Sequence, residues 1–232
     1  MVNRVLGPRQ EAEISPALRA YVDRAVIKAL RDPVGRRDFA LHADGGRVLP
    51  ELTKVAKGGG WTQSSSGSSP EYAITDDSRI GHCWSIPGSA AQLGIQLSQM
   101  IFPTHVSIDH IPLEIAADIG QAPRTVVLWG ALDGSVNESR RRHAFASSKV
   151  PVPALLYGRT APKTTSRHKF ILLGSFEYDI RGTYAVQTYP LDWCVVDSDL
   201  YFGVVVLEIL DNWGGNATCL YRARVHGEPA LT

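Results

Sequence analysis

The sequence predicts an all-β chain, an antiparallel, jelly-roll-like β-sandwich preceded by one short N-terminal α-helix. Three observations predict it. Runs rich in β-branched and aromatic residues recur from Asp38 onward, and several alternate with period two, as in Val106, Ile108 and His110. No helical pattern of useful length separates one run from the next, which argues for packed antiparallel sheets rather than βαβ units.

The helix comes first in the chain. Ser15-Pro16 supplies an N-cap and a proline at the first helical position, and Asp32-Pro33 supplies a stop. Ile14, Leu18, Tyr21, Val22, Ala25 and Ala29 recur at helical spacing, opposite Arg19, Asp23, Arg24 and Lys28. Residues 1–37 therefore read as a helical segment that either packs on its own domain or mediates oligomerisation, and residues 38–232 as the β-domain. The expected strands are Leu93–Leu97, Val106–His110, Thr125–Trp129, Phe170–Tyr178, Tyr184–Tyr189, Tyr201–Leu210 and Thr218–Val225.

Two stretches interrupt this texture. Lys57–Pro70 is Gly/Ser-rich around a single Trp61 and reads as a mobile surface segment. A second stretch, about residues 137–168, carries seven Lys or Arg against the single acid Glu138, so it reads as a solvated basic insertion, with attraction to an anionic surface as the alternative.

Composition narrows the function. With 24 Lys+Arg against 23 Asp+Glu and a net charge of +1, no overall field points to nucleic acid or an anionic membrane. No stretch approaches a spanning helix and Met1–Arg9 lacks a signal-peptide core, so the chain reads either as a soluble cytosolic protein or as a lumenal piece of a longer one. Metal-site, hydrolase and phosphate-loop signatures are absent, and the sequence advertises no enzyme. Three cysteines, Cys83, Cys194 and Cys219, allow three pairings with one thiol left over. Asn137-Glu-Ser139 and Asn216-Ala-Thr218 are glycosylation sequons that only a lumenal address would make usable.

The specific signal lies in Asp38-Phe-Ala-Leu-His-Ala-Asp-Gly-Gly46, Gly81-His-Cys-Trp-Ser-Ile-Pro-Gly88, Asp109-His-Ile-Pro112, Ala122-Pro-Arg124, Leu210-Asp-Asn-Trp-Gly214 and Thr218-Cys-Leu-Tyr-Arg-Ala-Arg-Val-His-Gly227. In that order and spacing these motifs resemble the SUN domain, over about Asp38 to Gly227 apart from the two interruptions. The resemblance implies a non-catalytic lumenal domain of an inner nuclear membrane protein. Such a domain forms homotrimers through a preceding helical segment and binds the C-terminal tails of KASH proteins across the perinuclear space. A carbohydrate-binding β-sandwich module is the competing function.

The resemblance also assigns residues. A lid at about 50–72 would take the KASH tail as an added strand, with Trp61 either as its anchor or packed on its own domain. His110 and Tyr221 would hold the terminal carboxylate. Gln121 stands where animal members carry Ser, and Ala217 where they carry Tyr. Cys83 and Cys219 match the family disulfide, leaving Cys194 as a free buried thiol. The loop before Cys83 would hold a monovalent cation such as potassium, mostly through backbone carbonyls, with Tyr72, Thr75, Asp77 and His82 as the candidate set. Thr53 lies nearest to the cysteine with which animal members bond covalently to their partner, so binding here is expected to be noncovalent. A glycan on Asn216, five residues before Tyr221, would crowd the pocket, so that sequon is expected to stay unmodified.

Overall fold

The computed structural model describes residues 15–31, 34–63, 67–144, 156, 158–162 and 169–230. The chain divides into two compact units, residues 1–35 and 36–232. The first contains helix α1 (Pro16–Arg31), begun as expected by Ser15, whose hydroxyl accepts the Leu18 N–H at 3.2 Å. Leu18, Tyr21, Val22 and Val26 on this helix are exposed. Ile14 lies outside the described residues.

The second unit is built on antiparallel pairing throughout. Its strands are β1 (Arg47–Val48), β2 (Lys54–Lys57), β3 (Gly60–Thr62), β4 (Trp84–Pro87), β5 (Ala91–Asp109), β6 (Thr125–Leu132), β7 (Lys169–Glu177), β8 (Val186–Pro190), β9 (Phe202–Ile209), β10 (Ala217–Leu220) and β11 (Arg222–Pro229). The organising strand is β5, 19 residues long. Its first half pairs with β1, β2 and β9, and its second half with β8 and β11, with a register irregularity between Gln96 and Ile101. The sheet continues through β9 to β6 and β7, and a separate pair joins β4 to β10. The two segments expected as Leu93–Leu97 and Val106–His110 are thus one strand whose irregularity lets it serve both ends of a curled sheet. Leu93, Ile95, Val106, Ile108, Leu128, Val205, Leu207 and Val225 close the main core.

Thr218–Val225, expected as one strand, divides at Tyr221 into β10 and β11, which belong to different sheets. The alternation along β11 explains why a strand can bury three basic side chains. Ala223 and Val225 face the core, while Arg222, Arg224 and His226 are also buried, each with a partner. Arg222 meets Asp38 at 2.8 Å, Arg224 is bidentate on Asp109, and His226 contacts Ser107 at 2.7 Å and the Arg37 carbonyl at 2.8 Å. These pairs tie the opening Asp38-Phe-Ala motif to the last strand, since Asp38 also accepts the Val225 N–H.

The structure describes part of each interruption. The Gly-rich segment starts as a hairpin, because Gly58 and Gly59, with φ of 59° and 82°, form the two-residue turn that joins β2 to β3. The basic insertion is not simply solvated. It opens with helix α2 (Gly134–Ala144), and farther on Leu156 is fully buried against Val127, Trp129, Phe170 and Val206. Arg159 reaches the buried Glu208 carboxylate at 2.7 and 2.8 Å, where the Trp129 indole N–H also donates at 3.1 Å. Arg140 donates to the Asp199 carbonyl and Arg141 pairs with Glu138, so three of the seven basic residues are committed within the domain.

A short helix α3 (Trp193–Val196) precedes β9; the side chain of Cys194 lies outside the described set. No helix of the described residues is long and apolar enough to cross a membrane.

Candidate functional site

The site forms where β5 ends, β4 begins and β10 passes into β11. The Cys83–Cys219 disulfide, with Cα atoms 5.5 Å apart, sits at this junction as the resemblance implied. Cys83, Cys219, Ile111 and Tyr221 make a small apolar cluster, with Ala116 against it. His110 directly follows β5, and its backbone N–H is fixed by the Ala185 carbonyl at 3.0 Å. Its ring meets Tyr221 edge-on, 5.0 Å between centroids at 78°, and lies 6.0 Å from Tyr178.

The hydrogen bonding of this pair is incomplete in a chemically informative way. The Tyr221 hydroxyl oxygen accepts the Gly81 N–H at 3.2 Å, which leaves its own proton to donate. Gly81 has a φ of 84°, a left-handed conformation suited to glycine. His110 Nδ1 contacts the Ile111 carbonyl at 3.1 Å, so that nitrogen must carry a proton. In the neutral ring Nε2 is then a bare lone pair, and it is buried without a hydrogen-bond partner among the described residues. Burial pushes the His110 pKa below the usual imidazole value. Burial pushes Tyr178 in the opposite sense for its charge, upward, and its hydroxyl donates to the Ala185 carbonyl at 2.8 Å. Ile111 and Tyr178 also line an adjoining cavity of about 350 Å³, bounded by Pro112, Arg181, Tyr184 and Ala185.

The other expected residues are distributed around this centre. Gln121 stands on a neighbouring 3-10 turn, its amide donating to Asp118 at 3.3 Å, and the turn's Gly120 carbonyl accepts the Gly215 N–H just before β10. Trp61 is on β3, opposite Ala56 of β2, and is not part of the disulfide cluster. The lid region is nevertheless attached to the centre through Ser68, a residue the sequence did not single out. Its hydroxyl donates to the Cys83 carbonyl and accepts the Ser85 N–H at 2.7 Å. At the other end of the lid region Thr53 is buried, donating to the Leu49 carbonyl at 2.8 Å and accepting the Gly94 N–H at 3.1 Å. At the end of the sheet order, β3 pairs with β2.

The loop expected to hold a cation is closed on itself. The Tyr72 carbonyl accepts both the N–H and the hydroxyl of Thr75, at 3.3 and 3.0 Å. The Tyr72 ring tilts onto His82 at 5.4 Å. The Asp77 carboxylate is shared by Arg79 and by His82 Nδ1 at 2.9 Å, and the Arg79 hydrogen bonds hold its pKa far below the usual carboxylate range. The Asp77 carboxylate is thus committed to a guanidinium, whereas the ligands expected for a cation here are mostly backbone carbonyls, on which these side-chain contacts do not bear. Among the described residues no group of three or more His, Cys, Asp or Glu could hold a metal ion.

Comparison with known proteins places these features in context. Residues 63–145 and 141–229 match the family described as Sad1 / UNC-like C-terminal. The chain is 31% identical over 222 residues to SUN domain-containing protein 1 of Homo sapiens, covering 91% of this chain and 24% of that protein. It is 30% identical to SUN domain-containing protein 3 of Bos taurus, covering 88% of this chain and 50% of that one. The nuclear migration and anchoring protein unc-84 of Caenorhabditis elegans is 25% identical over 91% of this chain and 17% of its own length. The chain thus spans half or less of these relatives. Among solved structures, the family 32 carbohydrate-binding module of Streptococcus pneumoniae EndoD superposes with a TM-score of 0.52 at 11% identity, over 83% of this chain and all of that one. That likeness is one of fold, a β-sandwich shared by unrelated functions.

Proposed function

The chain belongs to the Sad1 / UNC-like C-terminal family of SUN domains, and we propose that it is a non-catalytic lumenal tether at the nuclear envelope. It binds the C-terminal tail of a KASH protein in the perinuclear space and so couples nucleus to cytoskeleton. One observation carries the reading. Among the described residues, the groups of the His110–Tyr221 pair without an internal partner are the buried His110 Nε2, a donor once the ring is protonated, and the Tyr221 phenolic proton, the two that a terminal carboxylate would engage.

A buried polar atom left unpaired costs about 1–3 kcal/mol, which a ligand can recover on binding. The tail adds as a strand beside β3, at the end of the sheet order, with its end directed toward Tyr221. The α1 stripe of Leu18, Tyr21, Val22 and Val26 serves assembly into a trimer, in which several tails are held at once. Thr53, already spent in two internal bonds, offers no covalent link to the partner. The fold likeness to a carbohydrate-binding module brings no sugar site with it, since no aromatic platform is implied by backbone similarity at 11% identity.

The test is a pull-down with synthetic KASH C-terminal peptides bearing a free or an amidated terminus. Retention of the free acid and loss of the amide supports the reading. Equal retention of both, or of neither, contradicts it.

A further inference from the structure

The two sequons are not equivalent in the folded chain, and the structure separates them. Asn137 lies in α2 with 1% of its surface exposed. Its side-chain amide donates to the Tyr201 carbonyl at 2.6 Å and its oxygen accepts the Tyr201 N–H at 3.3 Å, so both polar atoms are used to bind α2 to the start of β9. A glycosylated amide keeps one proton, but a side chain this enclosed leaves no exit for a sugar. Asn216 is the opposite case. It is exposed, its side chain makes no hydrogen bond among the described residues, and only its backbone carbonyl is engaged, by the Gly88 N–H at 3.3 Å.

The third residue of that sequon, Thr218, is fully buried and holds the same turn in shape. Its hydroxyl donates to the Gly88 carbonyl at 2.9 Å and accepts from the Asn212 amide at 3.1 Å. The Asn212 amide donates in addition to the Gly215 and Ala217 carbonyls, on either side of Asn216. The backbone around Asn216 is therefore fixed by its neighbours while its own side chain is left to solvent. The crowding argument against a glycan here weakens for the same reason. Tyr221 is buried at 3% exposure and turned toward Gly81, whereas Asn216 stands on the outside beside the Gly120–Gly215 contact.

We propose that Asn216 is an N-glycan acceptor of this chain and that Asn137 is excluded from that role. In the native cell the modification rests on the lumenal reading above, because the transferase acts only on chains entering the secretory lumen. The sugar adds a bulky hydrophilic group at the rim of the site, next to the turn that carries Gln121.

The experiment directs the full chain into the secretory pathway of a eukaryotic host behind a cleavable signal. The secreted protein is treated with peptide N-glycosidase, which converts an occupied Asn to Asp, and is then mapped by mass spectrometry. The expected result is conversion at residue 216 and none at residue 137, and loss of the enzyme-sensitive gel shift in Asn216→Gln. Secreted protein with no conversion at 216, or with conversion at 137, overturns the proposal. Mapping on the unsubstituted chain keeps the test decisive even if a variant fails to be secreted. Sugar-free protein made in bacteria, titrated with a KASH peptide, reports on the tether reading alone, so failure of one proposal is distinguishable from failure of the other.

Discussion

At the residue scale, the protonation state of His110 decides what it can offer a carboxylate. With Nδ1–H donated to the Ile111 carbonyl, the neutral ring presents only a lone pair at Nε2, which repels an anion. A donor appears there only when the ring is protonated. Tail binding should therefore take up a proton, and affinity should rise as pH falls, by up to about tenfold per unit while the free ring is neutral and the bound ring charged. Titrations across pH 6 to 8 check this. The rings facing it are those of Tyr178 and Tyr221. Replacing His110 by Ala or Tyr221 by Phe should each weaken binding by about ten- to a hundredfold, the value of a charge-assisted hydrogen bond. The unliganded protein should respond to acid in the opposite sense. Burial holds the pKa of His110, His226 and His105 below the ordinary value of 6.5, so the unfolded chain binds more protons than the native one beneath it. Stability should be full above about 6.5 and fall as pH drops, which denaturant midpoints at pH 5 and 7.5 will show.

At the scale of elements, the insertion after α2 is a covering piece of the second core. Glu208 is fully buried and takes both the Arg159 guanidinium and the Trp129 N–H. Removing one partner of such a pair leaves a charge without compensation, so Arg159→Ala should cost about 3–5 kcal/mol of unfolding free energy. Arg159→Ala combined with Glu208→Gln should recover part of that loss, because the carboxamide removes the stranded charge. Equilibrium denaturation of the two variants measures it. The sequence carried little of this. Arg159 and Leu156 lie in a run whose charge excess signals solvation, and nothing local reveals that a buried acid 49 residues later awaits a cation. Strands were legible where apolar side chains alternate, as from Thr125 and from Tyr201. β10 and β11 were expected together as one strand, Thr218–Val225, although Arg222, Arg224 and His226 are buried by partners rather than by hydrophobicity. A lid hairpin was implied by the resemblance alone, because three glycines and a serine run mask the two-residue turn that Gly58 and Gly59 form. At the site, His110, Tyr221 and the Cys83–Cys219 bridge were legible as motif positions, whereas Ser68 and Tyr178 reach it through long-range contacts with no local signature.

For the whole molecule, the proposed tether rests on joining several weak attachments. Among the described residues, four large apolar side chains on α1 are exposed, the surface proposed above for assembly. Light scattering on the full chain and on a chain beginning at Arg36 should show a trimer weakened or lost with the helix removed. Monomers from both would contradict the assembly role proposed for α1. In the proposed assembly, multivalent capture would stand in for a covalent link, because a tail released by one protomer would be held near the others.

The most direct test of carboxylate capture is titration calorimetry of a KASH peptide in two buffers of equal pH but different ionisation enthalpy. The account predicts uptake of about one proton per free-acid peptide at neutral pH, absent in His110→Ala and absent with the amidated peptide. Tight binding of the free acid with no proton uptake, unchanged by His110→Ala, would contradict it.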